Sequence, residues 1–352
     1  MSLRERVSKS VSDLGLPRLT VILFLVSLFI VGGIQGVPLG DLVNSSIGRF
    51  SMNALLTISM VPAIQCGIGP NFGLPVGIIA GLIGLVLSME MGFTGFPGFM
   101  VASALGLSLG AVFGVLYGHL VNRVKGQEMM VGTYVGFAVV SGMCMFWLLM
   151  PFRHPRLIWT LGGEGLRVTI SLSDFFSNVL DNLLAIKIGA IKFPTGLVLC
   201  VGLIAALYRL FEYTRAGIAM DLAGQNEQFA RAAGINVEKM RVTGTAMSTA
   251  MGALGIIFYA QSYGFVQLYT APLMMAFPAV AAVLIGGASP KTASISNALV
   301  GTLLFQTLLA ITVPVSQSVI SGDISEIIRL IVSNGMVLYA LTRGPGGGNN
   351  GS

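Results

Sequence analysis

Two sets of residues give this chain its chemistry. The first is the run from 212 to 241, EYTRAGIAMDLAGQNEQFARAAGINVEKMR, which holds four acids (Glu212, Asp221, Glu227, Glu238) and four bases (Arg215, Arg231, Lys239, Arg241) between two long apolar segments. Such a run must sit in water. Within it Asn226 can cap a short helix that carries Glu227 in its first turn, and Gly234 can end that helix in a left-handed conformation. Glu227 and Arg231 lie four apart and can pair, while Phe229 and Ala233 share another face. About two turns of helix are marginal alone, so this piece forms against the body of its own chain or against a partner protein. The second set is polar but uncharged. Asn53, Thr57, Gln65 and Asn71, and later Ser248, Gln261, Asn297 and Gln306, fall inside apolar runs. Amides and hydroxyls there either hydrogen-bond a neutral, hydroxyl-rich or heterocyclic solute or bond across helices to one another; Asn53, Gln65, Asn71, Gln261 and Asn297 are the candidates for a solute path.

Bond-making chemistry has no comparable constellation. No GxxxxGK[ST] loop, HExxH or GxSxG occurs, and His119 and His154 stand isolated. Cys66, Cys144 and Cys200 fall in apolar runs without metal-ligand spacing and read as small buried hydrophobes. Neither a catalytic residue, a metal nor a cofactor is expected on this chain.

The elements that must position these residues are membrane helices. Of 352 residues 54% are hydrophobic and 10% charged, and the mean hydropathy is +0.85, outside the range of soluble globular proteins. The sequence predicts an all-α polytopic membrane protein, one transmembrane domain over 1–343, with a flexible Gly-rich tail at 344–352. A polar, basic start over 1–17 suits a helix on the cytoplasmic face; it leads into a retained first span, since no small-residue cleavage site follows. Ten apolar runs can be drawn, at about 18–36, 53–65, 76–92, 97–121, 128–150, 195–211, 242–264, 272–286, 293–313 and 326–342. Residues 37–52, with Asp41, Asn44 and Arg49, read as an external loop. The second and third runs are separated by CGIGPNFGLP, whose glycines and prolines break the helix near 65–75. Irregular backbone at membrane depth needs a protein or cavity lining, so this break is expected on the solute route. Gly106, Gly110, Gly114 and Gly118 recur every four residues and form a smooth stripe for close helix packing. The long stretch 151–194 includes an amphipathic piece, SLSDFFSNVLDNLLAI, fit to rest on the outer membrane surface or meet an external partner.

Ten spans place both termini on one side. Thirteen of the 20 basic residues lie on that side, in short segments, while five of the other seven sit in the long 151–194 stretch; the thirteen-residue side is therefore cytoplasmic. Bases at segment ends answer to membrane topology, so the +6 net charge does not point to nucleic acid.

The run GIAMDLAGQNEQFARAAGINVEKMR resembles the cytoplasmic loop of bacterial ABC-importer permeases of the ribose and simple-sugar type, a superfamily that also serves nucleosides and branched-chain amino acids. The matching positions are Gly217, Gly224, Asn226, Ala230, Ala233, Gly234, Ile235 and Asn236. GIGPNFGLPVG and LIGGASPKTASISNALVGTLL are similar to two further family segments, and the resemblance covers about 50–343. Where the sugar permeases carry an acid soon after the first glycine of the broken segment, this chain has Gly69-Pro70. The resemblance implies a bacterial inner-membrane importer of two permease subunits, identical or different, two cytoplasmic ATPase subunits and an extracytoplasmic solute-binding protein. ATP and Mg²⁺ would be held by the ATPase. It further implies that Gly224, Asn226, Glu227, Phe229, Arg231, Ala233 and Gly234 form the element that couples to it, and that the solute is a small neutral polar one, a simple sugar or a nucleoside. The rival readings are a partner-independent secondary transporter or channel, which should show charge or a selectivity ring inside its spans, and a membrane-embedded enzyme, which should show convergent His, Asp or Glu residues.

Overall fold

A computed structural model describes residues 16–159, 165–188, 191–319 and 324–343. Most of the expected helix on the cytoplasmic face, and the 344–352 tail, lie outside them. The first helices are α1 (Leu16–Ile34), α2 (Leu39–Ile58), α3 (Met60–Gln65), α4 (Leu74–Glu90), α5 (Gly95–Arg123) and α6 (Glu128–Leu149). After an irregular stretch come β1 (Thr169–Ser171), α7 (Val179–Asn182), β2 (Ile186–Ile188) and β3 (Ile191–Phe193). The chain then continues through α8 (Thr195–Glu212), α9 (Arg215–Gln225), α10 (Glu227–Ala232), α11 (Val237–Tyr263), β4 (Phe265–Gln267), α12 (Ala271–Ile285), α13 (Ile295–Val319) and α14 (Ile324–Arg343).

The protein is a multi-pass helical membrane protein. Among the described residues six helical segments are long and apolar enough to cross a bilayer: Leu39–Gln65, Gly95–Arg123, Glu128–Leu149, Thr195–Glu212, Val237–Tyr263 and Ile295–Ser318. Arg18–Ile34, Leu74–Glu90 and Ala271–Ile285 are apolar but shorter. The fold is not purely helical, because β1 pairs antiparallel with β4 and β2 with β3.

α11 is the central rod, packed on α5, α4 and α2. The glycine stripe makes this possible. A Cβ on Gly110 would lie 2.9 Å from the Ala250 Cα, and one on Gly114 only 2.6 Å from the Ala246 Cα, so the two backbones touch along their length.

Two segments differ from the sequence expectation. Residues 39–52 are helix, not loop. Pro38 supplies the entry at φ −61° and Asp41 sits in the first turn, where the helix dipole favours an acid. The serines that read as loop bond back onto the helix, Ser46 Oγ to the Leu42 carbonyl at 2.7 Å and Ser51 Oγ to Ile47 at 2.8 Å, and Asn53 Nδ2, at the start of the expected second span, does the same to Arg49 at 2.9 Å. α2 then passes into α3 at Ser59, where Pro62 cannot return a hydrogen bond to the Ile58 carbonyl.

The piece SLSDFFSNVLDNLLAI is the second. It does not form an amphipathic helix on a surface, since only Val179–Asn182 is helical there. Leu172, Phe176 and Leu180 are each at most 1% exposed and enter the common core. Buried Asp181 accepts hydrogen bonds from Gln261 Nε2 and Ser262 Oγ, both at 3.0 Å, and the Leu180 N–H donates to Gln261 Oε1 at 3.1 Å. Gln261 thus clamps this connection onto the end of α11. Gln261→Leu removes one hydrogen bond from the buried Asp181 carboxylate and the acceptor of the Leu180 N–H, and should cost about 1–2 kcal/mol, read as a lower melting temperature of the purified protein; an unchanged melting temperature would show that the clamp holds nothing.

Candidate docking segment and solute cavity

The charged run folds as three short-linked, side-chain-capped helices at one end of the bundle. Thr214 Oγ1 accepts from the Gly217 N–H at 3.2 Å to start α9, Asn226 Oδ1 accepts from the Phe229 N–H at 3.0 Å to start α10, and Asn236 Oδ1 accepts from the Lys239 N–H at 2.9 Å to start α11. α10 ends at Gly234, whose φ is +80°, while Ala233 occupies the C-cap. Its inner face carries Ala230, fully buried on Ala223 and Val237. Its outer face carries Phe229, 58% exposed.

Glu227 accepts from Arg231 at 2.8 Å, and also from Lys125 in the turn between α5 and α6 at 2.8 Å. Glu238, in the first turn of α11, contacts both cations. Lys125 first, then Arg231, holds the Glu227 carboxyl below its ordinary range. Lys125 and Glu238 were not among the coupling candidates. Glu238 lies seven residues past Arg231 but in the next helix, beyond the Gly234 stop, and Lys125 arrives from 102 residues away, so helical spacing flagged neither.

Gly224, in α9, ties this segment to the broken helix. A Cβ there would lie 2.1 Å from the Gln65 carbonyl oxygen, and at Gly67, φ +82°, a Cβ would lie 2.9 Å from the Gly224 Cα. Gln65 is a junction: its Nε2 donates to Glu212 at 2.6 Å and to the Ala293 carbonyl at 3.0 Å, and its Oε1 accepts from the Tyr208 hydroxyl. Nearby, buried Arg241 pairs with Glu128 and joins the starts of α11 and α6. The break therefore lies at the end of the bundle that bears the charged run.

The five path candidates are not brought together. Gln65 serves the junction and Gln261 the clamp. Asn71, 1% exposed, donates to Ser248 Oγ at 2.9 Å, and Asn297 donates to the Gly286 carbonyl at 2.8 Å while its Oδ1 accepts from the Ser294 N–H at 3.1 Å. Asn53 alone of the five lines the large cavity, which has a volume of about 540 Å³ and lies between α2, α11, α12, α13 and α14. Thr57, Gln306, Arg49 and Arg329 share its wall, with Tyr259 and Tyr263 on the α11 side. Tyr259, Tyr263 and Gln267 place the cavity toward the far end of α11, away from the charged run.

Among the described residues no group of His, Cys, Asp or Glu could hold a metal ion. A polytopic helical bundle, with a charged segment at one end and a cavity that carries amide, hydroxyl and guanidinium groups toward the other, has the layout of a membrane translocation subunit. The chain belongs to the family of branched-chain amino acid transport system / permease components, which matches residues 42–341. It is similar to the autoinducer 2 import system permease protein LsrC of Yersinia enterocolitica serotype O:8 / biotype 1B, with 26% identity over 72% of this chain and 64% of the relative. It is similar also to LsrC of Yersinia pseudotuberculosis serotype O:3 (strain YPIII), with 27% identity over 72% of this chain and 66% of the relative. The chain thus spans just under two thirds of the length of these curated relatives.

Proposed function

We propose that this protein is the permease subunit of an ATP-driven importer for a small, hydroxyl-rich solute, working as one of two permeases with cytoplasmic ATPase subunits and an external solute-binding protein. The observation that carries the reading is the exposed Phe229 on a helix whose caps, ion pairs and inner face are all satisfied by the chain itself, so that the outer face is held ready for a partner. An ATPase groove would bury Phe229 and Ala233, with Glu227 and Arg231 on its polar rim. The contact of Gly224 with Gln65 would carry the ATPase's motion into the broken helix. Family membership and the import systems named for the relatives support the same reading. Purification of this chain from cells that carry its transport system should bring down a stoichiometric ATPase; a chain that purifies alone yet transports the solute would overturn the proposal and restore a partner-independent carrier.

The proposed arrangement has ten spans in a bacterial inner membrane, both termini cytoplasmic. In a variant without native cysteines, a cysteine at Ser171 should react with an impermeant maleimide from outside, and one at Thr342 should not. External labelling at Thr342 would overturn the topology.

A further inference from the structure

We propose that the cavity takes a solute bearing an oxyanion on its hydroxylated skeleton, of the sugar-acid or sugar-phosphate kind. The proposal rests on the permease reading above and assigns the solute's charge. Reading residues 37–52 as an external loop left Arg49 outside the spans, whose uncharged amides and hydroxyls then pointed to a neutral solute. The structure instead places Arg49 ten residues into α2, about 15 Å along the helix at 1.5 Å per residue, on the cavity wall.

Arg329 reaches the same wall from α14. Its Nε donates to Glu326 Oε2 at 2.9 Å; Arg49 lies near enough to the same carboxylate to act on it through space but makes no ion pair with any described residue. Among the described residues no acid lines the cavity. A guanidinium stays charged at any physiological pH, and its planar donors match a carboxylate or phosphate in a fork. An ionisable group at membrane depth is costly and faces a partner or a polar cavity, and a concave wall with low-dielectric surroundings concentrates its field on what enters. Asn53, Thr57 and Gln306 supply neutral donors and acceptors for hydroxyls. A volume of about 540 Å³ suits a molecule of that size.

The test uses the full chain in nanodiscs of phosphatidylcholine, so that no anionic headgroup occupies the arginines. Binding is measured by equilibrium dialysis for two pairs of labelled probes that differ in charge, D-glucuronate against D-glucose and ribose 5-phosphate against ribose. The acidic member of at least one pair should bind about tenfold more tightly, the factor expected of one charge-assisted hydrogen-bonded contact. Which pair shows it separates carboxylate from phosphate. Arg49→Gln should erase that preference and Arg49→Lys keep part of it, with melting temperature unchanged because no ion pair is broken. Equal binding of the neutral probes, no binding of any probe, or a preference that survives in both Arg49→Gln and Arg329→Gln overturns the proposal. Recovery of the ATPase on purification does not depend on the cavity, so the permease reading stands or falls separately.

Discussion

Gly224→Val abolishes coupled uptake. That result is expected because a side chain at this position meets backbone, not the yielding tip of another side chain: its Cβ would fall 2.1 Å from the Gln65 carbonyl oxygen and 2.8 Å from the Gly67 amide nitrogen. Overpacking a core commonly costs about 1–3 kcal/mol where side chains can shift. Here α9 must lift off the break, and Gln65 must give up its bonds to Glu212, Tyr208 and Ala293. The helices elsewhere keep their packing. Membrane insertion and ATPase recovery should therefore persist while solute-stimulated ATP hydrolysis and uptake in reconstituted vesicles disappear. Gly202→Ala, in α8 with open space around its Cβ, is the matched control and should behave as the parent. Parent-like uptake by Gly224→Val would show that the contact transmits nothing.

Phe229→Ala lowers the affinity for the ATPase roughly thirtyfold, the equivalent of about 2 kcal/mol for a buried aromatic anchor. The side chain is 58% exposed in the isolated chain, so its removal leaves the chain's own stability nearly untouched. Loss of the partner without loss of melting temperature distinguishes docking from folding. Gly234→Val should act in the same direction by another route. Nothing stands within 4 Å of its Cβ position, so space is free, but φ of +80° is strained for a β-branched residue. If both complexes assemble and hydrolyse ATP like the parent, α10 is not the docking element.

What sequence alone could reach followed the range of the interactions. α10 was legible almost residue by residue, because its cap at Asn226, the Glu227–Arg231 pair and the Gly234 stop are all local. The glycine stripe was legible for the same reason, since a helix repeats every few residues and the partner need only be a smooth surface. Residues 39–52 were misread because Asp41, Asn44 and Arg49 look like loop residues, whereas the serine hydroxyls among them return to carbonyls one turn back on a helix. That error moved Arg49 out of the site. The amides at 65, 71, 261 and 297 stood out in the sequence as polar groups in apolar surroundings. Whether each faced a solute or a neighbour depended on Glu212, Ser248, Asp181 and Gly286, of which only Gly286 lies close in sequence. The cavity was the least legible feature, because its wall is drawn from five helices that sequence order does not place side by side.

The backbone contact between α5 and α11 has a mechanical consequence. Two helices whose Cα atoms touch cannot slide or rotate past each other without collision, so the pair moves as one beam. α11 has 27 residues, which at 1.5 Å each makes a beam about 40 Å long; a 10° tilt about one end would swing the other by about 7 Å. Its near end is anchored to α10 by the Lys125, Arg231 and Glu238 charges, and its far end carries Tyr259 and Tyr263 on the cavity wall. A small displacement delivered at the charged end would thus be geared up into a larger one at the cavity wall.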